Sequence, residues 1–242
     1  MIVHSLVALR NLLFYSYFST RQHFRDRAGR YRVKTASREK TVRRTASKEE
    51  RQQQLIAATI RSVAKNGLSD TTMATVSQQA GLSQGIINLH FQSKDRLLME
   101  TLRYIAEEYR LAWEKALSSA GKLPADKLAA LVSVDFSLPV CDRNKLAVWF
   151  AFWGESRSRL TYRKICAESS REYKQVLTAL CEDLTRQGNH RVRAQHVAIG
   201  LLAMNSGLWL DMLISPSEMP AEKAKEISLS YLRGVFPGHF PE

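Results

Sequence analysis

Two amide side chains and a glycine carry the clearest recognition chemistry in this 242-residue chain. Gln84 and Asn88 can each form paired hydrogen bonds with the edge of an adenine base. Gly85 has no side chain, so a helix that contains it can approach another molecule closely. On one helix face these residues would read DNA bases; the alternative interpretation is an ordinary solvated face.

The surrounding residues 71–94 predict two short helices that would position these side chains. Thr72 lies at the start of the first helix, and Gly81 suits the left-handed conformation that ends it. Ser83 can accept hydrogen bonds from the free N–H groups that open the second helix, which ends near Phe91. Two short helices joined by a glycine-containing turn are typical of a helix-turn-helix, whose second helix enters the DNA major groove.

The residues across this turn resemble the N-terminal signature of the TetR family of regulators. The matching positions are Ala80-Gly81-Leu82-Ser83, Gly85, His90-Phe91 and Ser93-Lys94. The resemblance implies an all-helical homodimer that represses transcription from a palindromic operator in double-stranded DNA. It also implies that repression lasts until a small-molecule effector binds the larger C-terminal domain.

The same resemblance assigns roles to individual residues of the motif. The implied base-facing residues are Gln84, Gly85 and Asn88. The implied phosphate contacts, which set register without reading sequence, are Thr72, Ser83, His90 and Lys94. Leu89 departs from the pattern, since many members carry Tyr or His at that position, and a phosphate contact is therefore expected to be missing there.

The net charge of +13 is concentrated at the start of the chain. Residues 1–51 contain 13 Lys and Arg against 4 Asp and Glu, as attraction to phosphate would require. Residues 1–46 read as a basic, disordered extension. Their apolar run, residues 2–18, is too short and too interrupted to span a bilayer, so no membrane partner is expected. A rival hypothesis makes this tail the functional part, in a protein that associates non-specifically with nucleic acid or membranes.

Helical patterns fill the rest of the chain and predict an all-α fold. Ser47 and Glu50 fit a capping box, and the apolar stripe that follows ends at Asn66-Gly67. We expect a helix-turn-helix domain of three helices at residues 47–94 and a helical ligand-binding and dimerisation domain at residues 95–242. The segments 190–214 and 221–236 are apolar on more than one side, which favours a two-helix contribution from each subunit to a dimer interface.

Aromatic residues in the second domain suggest a ligand pocket. The candidates are Phe136, Trp149, Phe152, Trp153, Asn205 and Trp209. Aromatic faces attract quaternary ammonium ions, although an aromatic stripe at helical spacing is also ordinary core packing. Residues 145–172, together with Gly207-Leu208-Trp209-Leu210, resemble BetI-type repressors. That resemblance implies choline or a related cation as effector and control of glycine betaine synthesis genes. Ser206 stands where an Asp is expected, which removes a counter-charge.

Catalytic and metal-binding patterns are weak in this sequence. Cys141, Cys166 and Cys181 have no metal-ligand spacing and predict reduced, packed thiols in a cytoplasmic protein; a redox-sensing pair is the less favoured alternative. The histidines are scattered, and no phosphate loop or nucleophile motif is present. We therefore expect no enzyme activity, no cofactor, no metal and a location at the nucleoid. An activator built on the same scaffold stays open.

Overall fold

The computed structural model describes residues 47–240; the basic extension predicted for residues 1–46 lies outside the described residues. Within the described range the secondary structure is helical, which confirms the all-α prediction. The helices are α1 (Lys48–Asp70), α2 (Met73–Ala80), α3 (Gln84–Phe91), α4 (Lys94–Ser119), α5 (Pro124–Asp135), α6 (Arg143–Glu155), α7 (Leu160–Gly188), α8 (Ala194–Ile214) and α9 (Ala221–Val235).

Helix α1 begins with the predicted capping box. The Ser47 hydroxyl accepts a hydrogen bond from the Glu50 amide at 3.1 Å, and the Glu50 carboxylate accepts one from the Ser47 amide at 2.7 Å. The helix breaks at Gly67, as predicted, and a short helical segment then continues to Asp70 within the bounds of α1. Gly67 breaks the helix with a φ of 77°, in the left-handed region that favours glycine.

Helix α4 connects the N-terminal helices to the rest of the fold. The Ser93 hydroxyl caps it by accepting a hydrogen bond from the Arg96 amide at 3.2 Å. Its buried stripe runs the length of the helix, from Leu97 through Ile105 to Trp113. Because α4 packs against α1 and α3 and also against α5 and α7, one rigid helix contributes to both ends of the molecule.

Helix α6 is a second connection between the two ends. It packs extensively against α1 and also contacts α7 and α8. In the connection between α6 and α7, the Arg159 guanidinium lies 3.2 Å from the Asp95 carboxylate at the start of α4. Helix α6 contacts α1, the helix against which α2 also packs.

Helix α8 is apolar on more than one side, although Gln195, His196 and Asp211 are exposed on it. Leu201, Leu208 and Trp209 lie in the core, whereas Ile199 and Ile214 are exposed. By length and composition alone α8 could cross a membrane, but the core helix of a soluble protein meets the same criteria. The predicted start at residue 190 was wrong: α8 begins at Ala194, and His190 lies in the connection after α7, not on the same helix as His196.

Candidate functional site

The turn before α3 presents that helix at the surface. Gly81 ends α2 with a φ of 65°, and its amide donates to the Gln78 carbonyl at 3.0 Å. The Gln54 side chain of α1 donates to the Ala80 carbonyl at 2.7 Å and fixes the end of α2. Helix α3 is then anchored by two buried side chains, Ile87 and Phe91. The motif therefore has the helix-turn-helix geometry predicted from the sequence.

The three amide and glycine candidates lie together on the open side of α3. Gln84, Gly85 and Asn88 are all exposed, and residues one turn apart on a helix are neighbours at its surface. A Cβ atom added at Gly85 would meet only the Ser83 hydroxyl, at 3.8 Å. Packing within the subunit therefore does not require a glycine at this position.

Ser83 corrects one expectation from the sequence. It occupies the N-cap position of α3, but its side chain accepts no capping hydrogen bond. The helix opens instead through the backbone, where the Ile86 amide donates to the Ser83 carbonyl at 3.0 Å. The hydroxyl stays exposed beside the first N–H groups of α3, where a phosphate oxygen would be well placed.

The remaining phosphate candidates occupy helix ends near α3. Thr72 caps α2 by accepting a hydrogen bond from the Thr75 amide at 3.0 Å. The Lys94 ammonium donates to the Ser69 carbonyl at 2.8 Å, which holds the start of α4 against the end of α1. An ammonium has three donors, so this bond leaves two others for a phosphate. His90 is half-buried next to Phe91, with their ring centroids 6.3 Å apart.

A cavity of about 130 Å³ lies between α4, α6, α7, α8 and the end of α5, large enough for a ligand of several heavy atoms. Its aromatic lining residues are Tyr109, Trp149, Trp153, Tyr173 and Trp209. Its polar lining residues are Asp135, Ser169, Ser170, Asn205 and Ser206, and Cys166 and Leu202 complete it. The aromatic rings contact one another: Tyr109 lies 5.4 Å from Tyr173 and 5.8 Å from Trp209, centroid to centroid.

Four of the six pocket candidates line this cavity and two do not. Trp149, Trp153, Asn205 and Trp209 border it. Phe152 does not border it, because it lies about 100° around α6 from Trp153 and packs edge-to-face on Tyr162 at 4.8 Å. Phe136 does not border it either, since it follows the last turn of α5 and borders a separate groove that α9 helps to form.

Asp135, Tyr109 and Tyr173 are cavity residues that were not among the candidates from the sequence. Asp135 is the acidic one. It is 1% exposed, and its two carboxylate oxygens accept hydrogen bonds from the Tyr109 hydroxyl at 2.8 Å and the Tyr173 hydroxyl at 3.0 Å. The Asn205 amide donates a third bond at 2.8 Å. A single acidic residue in the apolar run of α5 was the available signal.

Burial raises the pKa of Asp135 to about 6, and the bonds from Tyr109, Asn205 and Tyr173 oppose that rise. The carboxylate is therefore ionised at neutral pH. Burial and the neighbouring carboxylate raise the pKa of both tyrosines well above the ordinary range, so both hydroxyls remain donors. The three polar neighbours donate hydrogen bonds without supplying a positive charge.

This combination suits a small organic cation. Aromatic faces attract ammonium groups, and a desolvated carboxylate without a cationic partner gains most from one. Ser206 does not supply a charge, and its hydroxyl donates to the Leu202 carbonyl at 2.9 Å. The carboxylate that borders this cavity comes instead from Asp135, at the end of α5.

The cysteines show no arrangement for redox chemistry. All three are free, and burial raises the pKa of each thiol, which disfavours the reactive thiolate. Cys181, with a pKa of about 12, is the most strongly affected. Cys166 borders the cavity as a protonated thiol.

Two family models match successive parts of the chain. Residues 124–237 match the family model described as BetI-type transcriptional repressor, C-terminal. Residues 55–101 match that of bacterial regulatory proteins, tetR family. The HTH-type transcriptional regulator BetI of Burkholderia mallei (strain NCTC 10229) is 31% identical over 185 residues, covering 76% of this chain and 93% of the relative. BetI of Stenotrophomonas maltophilia is 32% identical over 182 residues, with coverages of 75% and 91%.

Solved structures share the fold. A regulator from Pseudomonas aeruginosa PAO1 has a TM-score of 0.70 at 26% identity, over 80% of this chain and 94% of that one. A regulator from Saccharomonospora viridis, solved in complex with choline, has a TM-score of 0.67 at 21% identity, with coverages of 76% and 96%. The matches confirm both resemblances drawn from the sequence: the chain belongs to the TetR family and is a BetI-type transcriptional repressor.

Proposed function

We propose that this repressor acts as a homodimer on a palindromic operator and that a small organic cation, choline or a close relative, relieves repression. Residues 47–94 bind DNA and residues 95–242 bind the cation and the second subunit. The protein works in the cytoplasm on nucleoid DNA, and the proposal contains no catalytic step. The observation that carries it is the buried carboxylate of Asp135 among aromatic rings, within a chain whose α3 exposes amide side chains.

The DNA-binding part of the proposal rests on the surface of α3. Gln84 and Asn88 present amides suited to adenine, and Gly85 allows the helix to lie deep in the groove. Thr72, Ser83, His90 and Lys94 surround this face with groups that can donate hydrogen bonds to phosphate. In a dimer, two copies of α3 would enter successive major grooves about 34–36 Å apart.

The dimer part rests on the exposed side of α8. Five exposed small or apolar residues follow one another at helical spacing on the face that the subunit leaves open: Ile199, Ala203, Gly207, Leu210 and Ile214. A Cβ atom added at Gly207 would meet nothing within 4 Å, so intramolecular packing does not select a glycine there. A helix of the second subunit approaching closely would explain small residues at positions 203 and 207.

Control by the cation requires that it prefer one conformer of the protein. Trp149 and Trp153 of α6 border the cavity, and the same helix packs against α1. A cation drawn towards Asp135 would reposition α6. The Arg159–Asp95 ion pair and the Lys94–Ser69 hydrogen bond would pass this movement to the start of α4. We propose that the resulting conformer spaces the two α3 helices poorly for the operator.

A footprint on the DNA upstream of the protein's own gene tests the proposal, with and without choline. Protection of a palindrome that choline removes is the expected result. Protection that choline leaves unchanged would support specific operator binding but contradict choline as the effector. Salt-sensitive binding without a discrete footprint, abolished by deleting residues 1–46, would favour the rival non-specific protein.

A further inference from the structure

Leu89 is the most prominent apolar side chain on the DNA-facing helix. It is 79% exposed, the largest value among the exposed large apolar residues of the described range. A single exposed leucine is common on protein surfaces and needs no special explanation. This one is notable for its direction, because α3 turns by about 100° per residue. Ile87 and Phe91 are buried, and Leu89 therefore lies on the side of α3 directly opposite that pair.

Two parallel rows cross the open surface of α3. Gln84 and Asn88, four residues apart, form a polar row. Gly85 and Leu89, also four residues apart, form an apolar row beside it. Since Gly85 lacks a side chain, the space next to Leu89 is open, and a Cβ atom at Gly85 would be 3.8 Å from its nearest neighbour.

The polar row is chemically suited to adenine and the apolar row to thymine, the two bases of an A·T pair. In the major groove adenine shows an acceptor and a donor that pair with Gln or Asn, whereas thymine shows its C5-methyl group to apolar side chains. We propose that Leu89 contacts the C5-methyl group of a thymine in each operator half-site, so that the Gly85–Leu89 row reads thymine while the Gln84–Asn88 row reads adenine. This inference rests on the proposed binding of α3 in the major groove.

Replacing thymine with deoxyuridine tests this contact, because only the methyl group is lost. The probe is a synthetic duplex of the sequence protected upstream of the protein's own gene, with thymines replaced symmetrically, one pair of positions at a time. The full-length protein should lose affinity at one pair, by about fourfold per half-site and on the order of fifteenfold for both, from the burial of one methyl group each. The Leu89→Ala variant should bind the thymine and deoxyuridine duplexes equally.

Leu138→Ala is the matched control, because Leu138 is 75% exposed and lies between α5 and α6, away from α3. It should retain the full deoxyuridine penalty. A Leu89→Ala protein that retains that penalty, or the absence of any methyl-dependent position in the protected sequence, would overturn the inference and leave DNA binding intact. If the protein protects no discrete sequence, both the inference and the proposed function fail.

Discussion

The Asn205 amide of α8 donates a hydrogen bond of 2.8 Å to the Asp135 carboxylate of α5, across 70 residues of sequence. The same asparagine accepts a hydrogen bond from the Ser228 hydroxyl of α9 at 2.8 Å. The Asp135 backbone carbonyl in turn accepts one from the Trp209 indole at 2.8 Å. These hydrogen bonds link the buried Asp135 carboxylate at the cavity to α8 and α9, the helices of the proposed dimer interface.

The raised pKa of Asp135 predicts a pH dependence of stability. The ordinary pKa of an aspartate is about 4 and the folded value is about 6, so the folded state binds more protons between these limits. The free energy of unfolding should therefore fall as pH rises from about 4 to 6, by an amount on the order of 3 kcal/mol from this group. Urea titrations of the wild type and Asp135→Asn should show this difference. Parallel profiles for the two proteins would contradict the assignment.

Ionisation of the same group should control cation binding. Choline affinity is expected to be about tenfold weaker at pH 5 than at pH 7, since only a small fraction of Asp135 is charged at the lower pH. The readout is the fluorescence of the tryptophans that border the cavity, Trp149, Trp153 and Trp209. Affinity that stays constant over this range would show that Asp135 does not face the cation.

Gly85→Ala separates folding from DNA binding. Because Gly85 lies in α3 with open space beside it, alanine should raise the free energy of unfolding by about 0.5–1 kcal/mol. The same methyl group would meet the operator and weaken binding by on the order of 1–3 kcal/mol. Gly154→Ala, also with nothing within 4 Å of the added Cβ, is the control and should leave DNA affinity unchanged. Operator affinity unaffected by Gly85→Ala would argue against close approach of α3.

Asn88 and Lys94 should differ in what they contribute to binding. Asn88→Ala should cost about 1–3 kcal/mol on the operator and little on random DNA, because it reads a base. Lys94→Ala should weaken both DNAs alike and lower the slope of binding against salt by about one. Equal losses on both DNAs for Asn88→Ala, or an unchanged slope for Lys94→Ala, would refute the respective role.

Gly207→Leu tests the dimer face. The larger side chain has open space within the subunit but would block the approach of a second α8. Sedimentation velocity should show a monomer with unchanged helix content, and operator affinity should fall accordingly. Gly154→Leu serves as the matched control and should remain dimeric. A Gly207→Leu protein that is still a dimer would place the interface elsewhere.

Local chemistry made the N-terminal helices predictable. The bonds of Ser47 and the left-handed conformation of Gly81 each depend on residues a few positions apart, so the sequence contains them. The cavity depends on contacts between distant helices. Asp135 meets Tyr109 and Tyr173 only after α4, α5 and α7 pack together, and periodicity could not show that Phe152 turns towards Tyr162 while Trp153 borders the cavity.

A cation that binds beside Asp135 should weaken operator binding. The most direct test measures operator affinity against choline concentration for the wild type and Asp135→Asn. The variant should fold, because the Tyr109 hydroxyl can turn from donor to acceptor for the new amide. Asp183→Asn, at an exposed ion pair, is the control. We expect choline to release the wild type and the control from the operator and to leave Asp135→Asn bound. Equal release of all three proteins would contradict the account.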